Sequence, residues 1–223
     1  MKHWLLILTL VVATLQAQVR NERTELHHLV YAIRDPETGP QEFRHSLKKI
    51  GEYLALEVLQ NCPKKEVEVR TLTNAPASHV ICDDKPILVT IMRAGLPLLY
   101  GVQKIFPDSE TGFLGTMRDE ETLKPHTTYI ALPELKNKPV IIVDTMLATG
   151  GSILEAIKII EERGPSQITV ICAIAAQPGL ERIKAHNPSI QVYAAATDPI
   201  LNEKGYIVPG LGDAGDRSYG QKQ

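Results

Sequence analysis

The chain has 223 residues, 43% hydrophobic and 22% charged, a composition that excludes a disordered or polytopic membrane chain and suffices for a full core. Lys and Arg number 24 against 26 Asp and Glu, for a formal net charge of −2, so no bulk positive field marks a nucleic-acid binder. Cys62, Cys82 and Cys172 are scattered, odd in number and without C-x-x-C spacing, which speaks against a zinc site or a disulfide framework.

In chain order, Met1-Lys2-His3 leads into an apolar stretch from Trp4 to Leu15, with the small Ala17 beyond it. Residues 1–17 resemble a secretory signal peptide. The alternative is a buried N-terminal strand or helix of a cytosolic protein. The stretch is short for a membrane span, which takes roughly 20 apolar residues. Residues 1–18 are therefore set apart, and one folded domain is expected over 19–223.

Phe43, Leu47, Ile50, Leu54 and Val58 recur at helical spacing and predict an amphipathic helix over 42–59. Val67 and Val69 alternate with Glu66, Glu68 and Arg70, the pattern of a short half-buried strand. The apolar runs Ile87–Met92, Val140–Val143 and Ile168–Ala175 fit strands covered on both faces, with Cys172 as a small buried hydrophobe. Helical patterns follow each run, over Leu96–Ile105, Ser152–Glu162 and Gly179–Ala185; Ile153, Ile157 and Ile160 form the apolar face of the middle one. Such alternation implies right-handed βαβ units and an α/β fold, an open and mostly parallel sheet flanked by helices. The Gly-, Pro- and Asp-rich stretch 197–223 breaks the alternation and is expected to form a small C-terminal lobe, or hood.

Ligands of open α/β sheets bind beyond the carboxyl ends of the strands. There, Asp144-Thr145-Met146-Leu147-Ala148-Thr149-Gly150-Gly151-Ser152 runs from a strand through a small-residue turn into a helix. Its N–H groups can converge on a phosphate, and Asp144 is placed to accept hydrogen bonds from sugar hydroxyls. An ordinary capped helix is the alternative for the turn alone. Arg93-Ala94-Gly95-Leu96 is a second strand-to-helix turn, and its guanidinium suits a diphosphate. In Gly112–Pro125, the charged stretch Arg118–Lys124 reads by residue type as a solvated hairpin. Last, Gly205–Arg217 combines Pro and repeated Gly in a turned backbone whose exposed N–H and C=O groups can read the edge of a planar base. Asp213 and Asp216 lie close enough to raise a calcium loop, but their spacing does not fit the EF-hand pattern.

These four segments, in this order, resemble uracil phosphoribosyltransferases. D-T-M-L-A-T-G-G-S is similar to the family's ribose-5-phosphate loop, R-A-G-L to its pyrophosphate loop, R-D-E-E-T-L-K-P to its mobile loop and Y-I-V-P-G-L-G-D-A-G-D-R to its uracil segment. The likeness runs from about Leu26 to Gln223. One departure is Thr145, where these enzymes usually have Pro after the acid; tuned loop geometry is the expected effect.

The resemblance implies transfer of the phosphoribosyl group from 5-phosphoribosyl 1-diphosphate (PRPP) to uracil, giving UMP and pyrophosphate. It implies PRPP contacts from Arg93, Arg118, Asp144, Thr145, Met146, Leu147, Ala148, Thr149, Gly150, Gly151, Ser152 and Asp213. Uracil contacts are implied for Tyr206, Ile207, Gly212, Asp213 and Ala214. Asp213 and Arg118 are the implied catalytic residues, and Lys124 is a second candidate cation. Magnesium is expected as cofactor through the PRPP diphosphate, with Asp213 the one candidate protein contact. GTP as activator, a homodimer or larger homo-oligomer and a cytoplasmic location complete the expectation, with neither nucleic acid nor membrane as partner. The alternative is a PRPP- or UMP-sensing regulator on the same fold, which calls for a basic face or a damaged base segment.

Overall fold

The computed structural model describes residues 24–83, 85–118 and 125–221. After a helical stretch, α1 (residues 24–34), the periodicity of Phe43, Leu47, Ile50 and Leu54 produces α2 (Pro40–Gln60), whose first turn carries Pro40 where no N–H is needed. All four of those side chains are buried.

Next comes a hairpin of β1 (Lys64–Arg70) and β2 (Pro76–Cys82), which forms its own antiparallel two-stranded sheet. The half-buried strand expected at Val67 and Val69 is thus a strand, but only Val67 is partly buried: Val69 is 50% exposed and Val80 60%. Its alternation reflects pairing within the hairpin rather than a face laid on the core. The expectation against a disulfide is also overturned. Pairing of Lys64 with Cys82 brings Cys62 to the base of the hairpin, and Cys62 and Cys82 are joined, with Cα atoms 6.1 Å apart. Spacing along the chain carries no trace of that cross-strand register.

The remaining strands form a six-stranded sheet in the order β5-β4-β3-β6-β7-β8. These are β3 (Ile87–Met92), β4 (Thr111–Arg118), β5 (Pro125–Ala131), β6 (Pro139–Leu147), β7 (Gln167–Ala176) and β8 (Gln191–Asp198). All neighbouring pairs are parallel except β4 with β5. The helices α3 (Leu96–Ile105), α4 (Gly151–Glu161) and α5 (Gln177–His186) follow β3, β6 and β7. Period-two alternation divides the core. In β6, Ile141 and Val143 join Phe43, Leu47 and Leu98 on the α1–α2–α3 side, whereas Val140 and Ile142 join Ile153, Ile157 and Ile160 on the other. The central strands β3, β6 and β7 are largely apolar because both faces are covered.

After β8 the chain makes a short antiparallel pair, β9 (Ile200–Leu201) with β10 (Ile207–Val208), and ends in α6 (Ala214–Tyr219). This is the stretch whose composition broke the alternation. Among the described residues no helix is long and apolar enough to cross a membrane.

Candidate active site

The carboxyl ends of β3 and β6 open into a cavity of about 1000 Å³ that the tail after β8 covers from one side. Lining it are Arg93 and Ala94 after β3, Asp144 and Met146–Ile153 from β6 into α4, and Lys204–Ile207, Asp213 and Gly215 from the tail. Gly115, Thr116 and Thr128 of β4 and β5 complete the wall.

The turn between β6 and α4 forms one wall of the cavity. Gly150 adopts φ 77°, which only glycine takes without strain, and so directs the chain straight into α4. Gly150 has no side chain to cap the helix, and Gly151, Ser152 and Ile153 of its first turn line the cavity. Thr149 accepts a 3.3 Å hydrogen bond from the Gly151 N–H on Oγ1, and its carbonyl accepts from Arg182 Nη1 at 3.1 Å. Asp144 is buried at 8% exposure and accepts the Thr145 N–H at 2.8 Å. Behind it, burial pushes the Cys172 thiol pKa up, and the Asp144 charge adds to the effect.

Of the residues assigned to this loop, Thr145 faces away from the cavity. It is fully buried, and its hydroxyl donates to the Ala94 carbonyl at 2.6 Å. Instead of lining the cavity, it ties the end of β6 to the loop that carries Arg93. Arg93 itself lines the cavity and bridges to the tail, with Nη2 donating to Asp216 Oδ1 at 3.1 Å and to the Gly220 carbonyl at 3.4 Å. The Met92–Arg93 peptide bond is cis.

Arg118 is the last residue of β4, in register with Pro125 of β5. Lys124 lies outside the described residues.

In the tail, Asn202 builds a tight turn. Its Oδ1 accepts the N–H groups of Lys204 and Tyr206, each at 3.0 Å, and its own N–H donates to the Tyr206 carbonyl at 2.8 Å. The turn brings Gly205 close to Thr149, whose methyl would lie 3.5 Å from a Cβ placed there. Of the residues assigned to uracil, Tyr206, Ile207 and Asp213 line the cavity; Gly212 and Ala214 do not, and Ala214 is fully buried. Asp213 caps α6, with Oδ1 accepting the Asp216 N–H at 2.9 Å. Sequence reasoning missed Lys204 and Asn202. An Asn followed two residues later by Lys-Gly was the available signal, and it read as generic loop composition.

The cavity therefore joins the glycine turn after β6, an arginine loop and a Gly/Pro-rich tail. The sequence matches the family model described as Uracil phosphoribosyltransferase over residues 20–221. The uracil phosphoribosyltransferase of Bacillus pumilus is 45% identical over 197 residues, covering 88% of this chain and 94% of that protein. That of Dictyoglomus thermophilum is 43% identical over 198 residues, with 88% and 96% covered. Among solved structures, the AQ2163 protein of Aquifex aeolicus superposes with a TM-score of 0.82 at 40% identity, over 87% of this chain and 94% of its own. With the matched region spanning all four motifs and the described walls of the cavity, the chain belongs to the uracil phosphoribosyltransferase family.

Proposed function

We propose that the protein transfers the 5-phosphoribosyl group of PRPP to uracil, releasing UMP and pyrophosphate. The observation that carries this reading is the shared cavity, lined on one side by Thr149–Ser152 and on another by Tyr206, Ile207 and Asp213. In the reaction the bond from ribose C1 to diphosphate breaks, a bond from uracil N1 to C1 forms, and the N1 proton is lost. Positive charge builds on the ribose and negative charge on the leaving group, so the protein's work is positioning and charge stabilisation rather than nucleophilic attack. The amides of Gly150–Ser152 hold the 5-phosphate and Asp144 the ribose hydroxyls. Arg93 and Arg118 receive the diphosphate. The backbone of Ile207 and Asp213 meets the edge of uracil, with Tyr206 as apolar cover. Asp213 faces both substrates.

Among the described residues no group of three or more His, Cys, Asp or Glu could hold a metal ion. Two carboxylates, Asp144 and Asp213, do line the cavity. That donor set fits magnesium, which takes one or two carboxylates and completes its shell with substrate phosphates and water. When bound with PRPP, magnesium would neutralise the diphosphate and act as a Lewis acid, with Asp213 as its protein contact. The resemblance extends the proposal to a homodimer or larger homo-oligomer, activation by GTP and a cytoplasmic location where PRPP is made.

Initial rates with PRPP, magnesium and either uracil or hypoxanthine test the reading. UMP should form with stoichiometric pyrophosphate, and hypoxanthine should give no nucleotide. Turnover of hypoxanthine at a comparable rate would overturn the assignment.

A further inference from the structure

Asp198, the last residue of β8, is buried, yet it lines no part of the cavity. Its carboxylate meets the guanidinium of Arg34, at the end of α1, through two parallel bonds: Nη2 to Oδ1 at 2.6 Å and Nη1 to Oδ2 at 2.8 Å. Such a bidentate pair has little angular freedom. Both partners then turn to one peptide. Arg34 Nη1 donates to the Gly210 carbonyl at 2.8 Å, and Asp198 Oδ2 accepts the Gly210 N–H at 2.9 Å.

Gly210 is held where the tail folds back on itself. Its φ is 64°, and a Cβ there would stand 2.1 Å from the carbonyl oxygen of Ile207. Gly210 thus packs directly against the backbone of Ile207, which lines the cavity. A second guanidinium works beside the first. Arg217 lies 4.2 Å over the Phe43 ring and donates to the carbonyls of Leu211 at 2.9 Å, Asp35 at 2.6 Å and Ile33. The backbone from Gly210 to Leu211 thus hangs from the end of α1. The phosphate turn is supported separately, by β6, α4 and Arg182.

We propose that the Arg34–Asp198 pair, braced by Arg217, is a positioning device for the pyrimidine, fixing from outside the cavity the backbone that reads the base. This rests on the uracil phosphoribosyltransferase reading above and adds residues that touch neither substrate. Fixing the base-reading backbone in advance makes uracil recognition a contact between rigid partners. Because the phosphate turn is anchored elsewhere, the device acts on one substrate and spares the other, which general stabilisation of the fold would not do.

The test is steady-state kinetics of the full chain as Arg34→Lys and Asp198→Asn, with Tm and PRPP binding by calorimetry in parallel. Both variants should raise the KM for uracil about tenfold or more while the KM and Kd for PRPP stay within about twofold. Arg217→Lys, which leaves the Arg34–Asp198 pair in place, provides the same readout if either first variant fails to fold. Folded variants in which both KM values rise together, or neither changes, would overturn the proposal. A wild-type chain that makes no UMP would refute the underlying activity, and the proposal with it, and is told apart because it appears before any substitution.

Discussion

Arg93 Nη2 lies 3.1 Å from Asp216 Oδ1, an ion pair that bridges the loop after β3 to α6 across the rim of the cavity. Both side chains are about a third exposed, 38% and 33%, so the pair adds little to stability, about 0–1 kcal/mol. Its consequence lies in competition, because a diphosphate that recruits Arg93 must draw it from Asp216 and also approaches that carboxylate.

Asp216→Asn should therefore lower the KM for PRPP about two- to fivefold, with Tm nearly unchanged. Arg93→Ala should raise it steeply. A weaker PRPP interaction in Asp216→Asn would show instead that Asp216 orients Arg93 for the substrate.

Thr145 makes a different prediction. Its hydroxyl donates to the Ala94 carbonyl at 2.6 Å inside a fully buried environment. Thr145→Val keeps the shape and removes the donor, at a cost of about 1–2 kcal/mol in urea denaturation. Since Ala94 lines the cavity beside Arg93, the KM for PRPP should rise while that for uracil holds. Thr145 thus has a structural task of its own, tying the end of β6 to the loop after β3.

Thiol chemistry separates the three cysteines. Cys172 is fully buried, and burial together with the Asp144 charge raises its pKa, so the native protein should not alkylate there at pH 8. Cys62 and Cys82 are joined and should label with N-ethylmaleimide only after reduction, with Cys172 following only in denaturant. Mass spectrometry of the adducts under the three conditions reads this directly. Labelling of Cys172 in the folded state would contradict the packing described.

Acid stability should report on Asp198. Burial alone would raise its pKa, but the hydrogen bonds from Arg34 and the Gly210 N–H, with the Arg34 charge, outweigh it and hold the carboxyl below the usual Asp value. A depressed folded-state pKa contributes stability that is fully present above the unfolded value, about 3.9, and is lost as pH falls through the folded one. Denaturation midpoints should drop more steeply below about pH 4 in the wild type than in Asp198→Asn. Parallel profiles would indicate that the pair contributes nothing through charge.

Where sequence and structure agree, the reason is local. The run of Phe43, Leu47, Ile50 and Leu54 can only be buried as one helix face, and the unbroken apolar runs of β3, β6 and β7 need cover on both sides. The strand-to-helix turn after Asp144 is legible because its backbone demands glycine at Gly150. What stayed hidden depends on contacts between distant residues. Arg34 and Asp198 are 164 positions apart, and neither residue type signals a partner. Val67 and Val69 alternate just as a core strand would, yet the hairpin finds no sheet to join. β8 was missed because its sequence, QVYAAATD, is Ala-rich and short of β-branched residues, so only its place beside β7 makes it a strand.

The central claim is that one cavity holds the sugar phosphate on the turn after Asp144 and the pyrimidine on the tail. A crystal structure with UMP tests it most directly. The account predicts the phosphate on the N–H groups of Gly150, Gly151 and Ser152, and the uracil edge against Ile207 and the segment around Asp213. UMP bound with its phosphate away from that turn, or with its base turned from the tail, would contradict it.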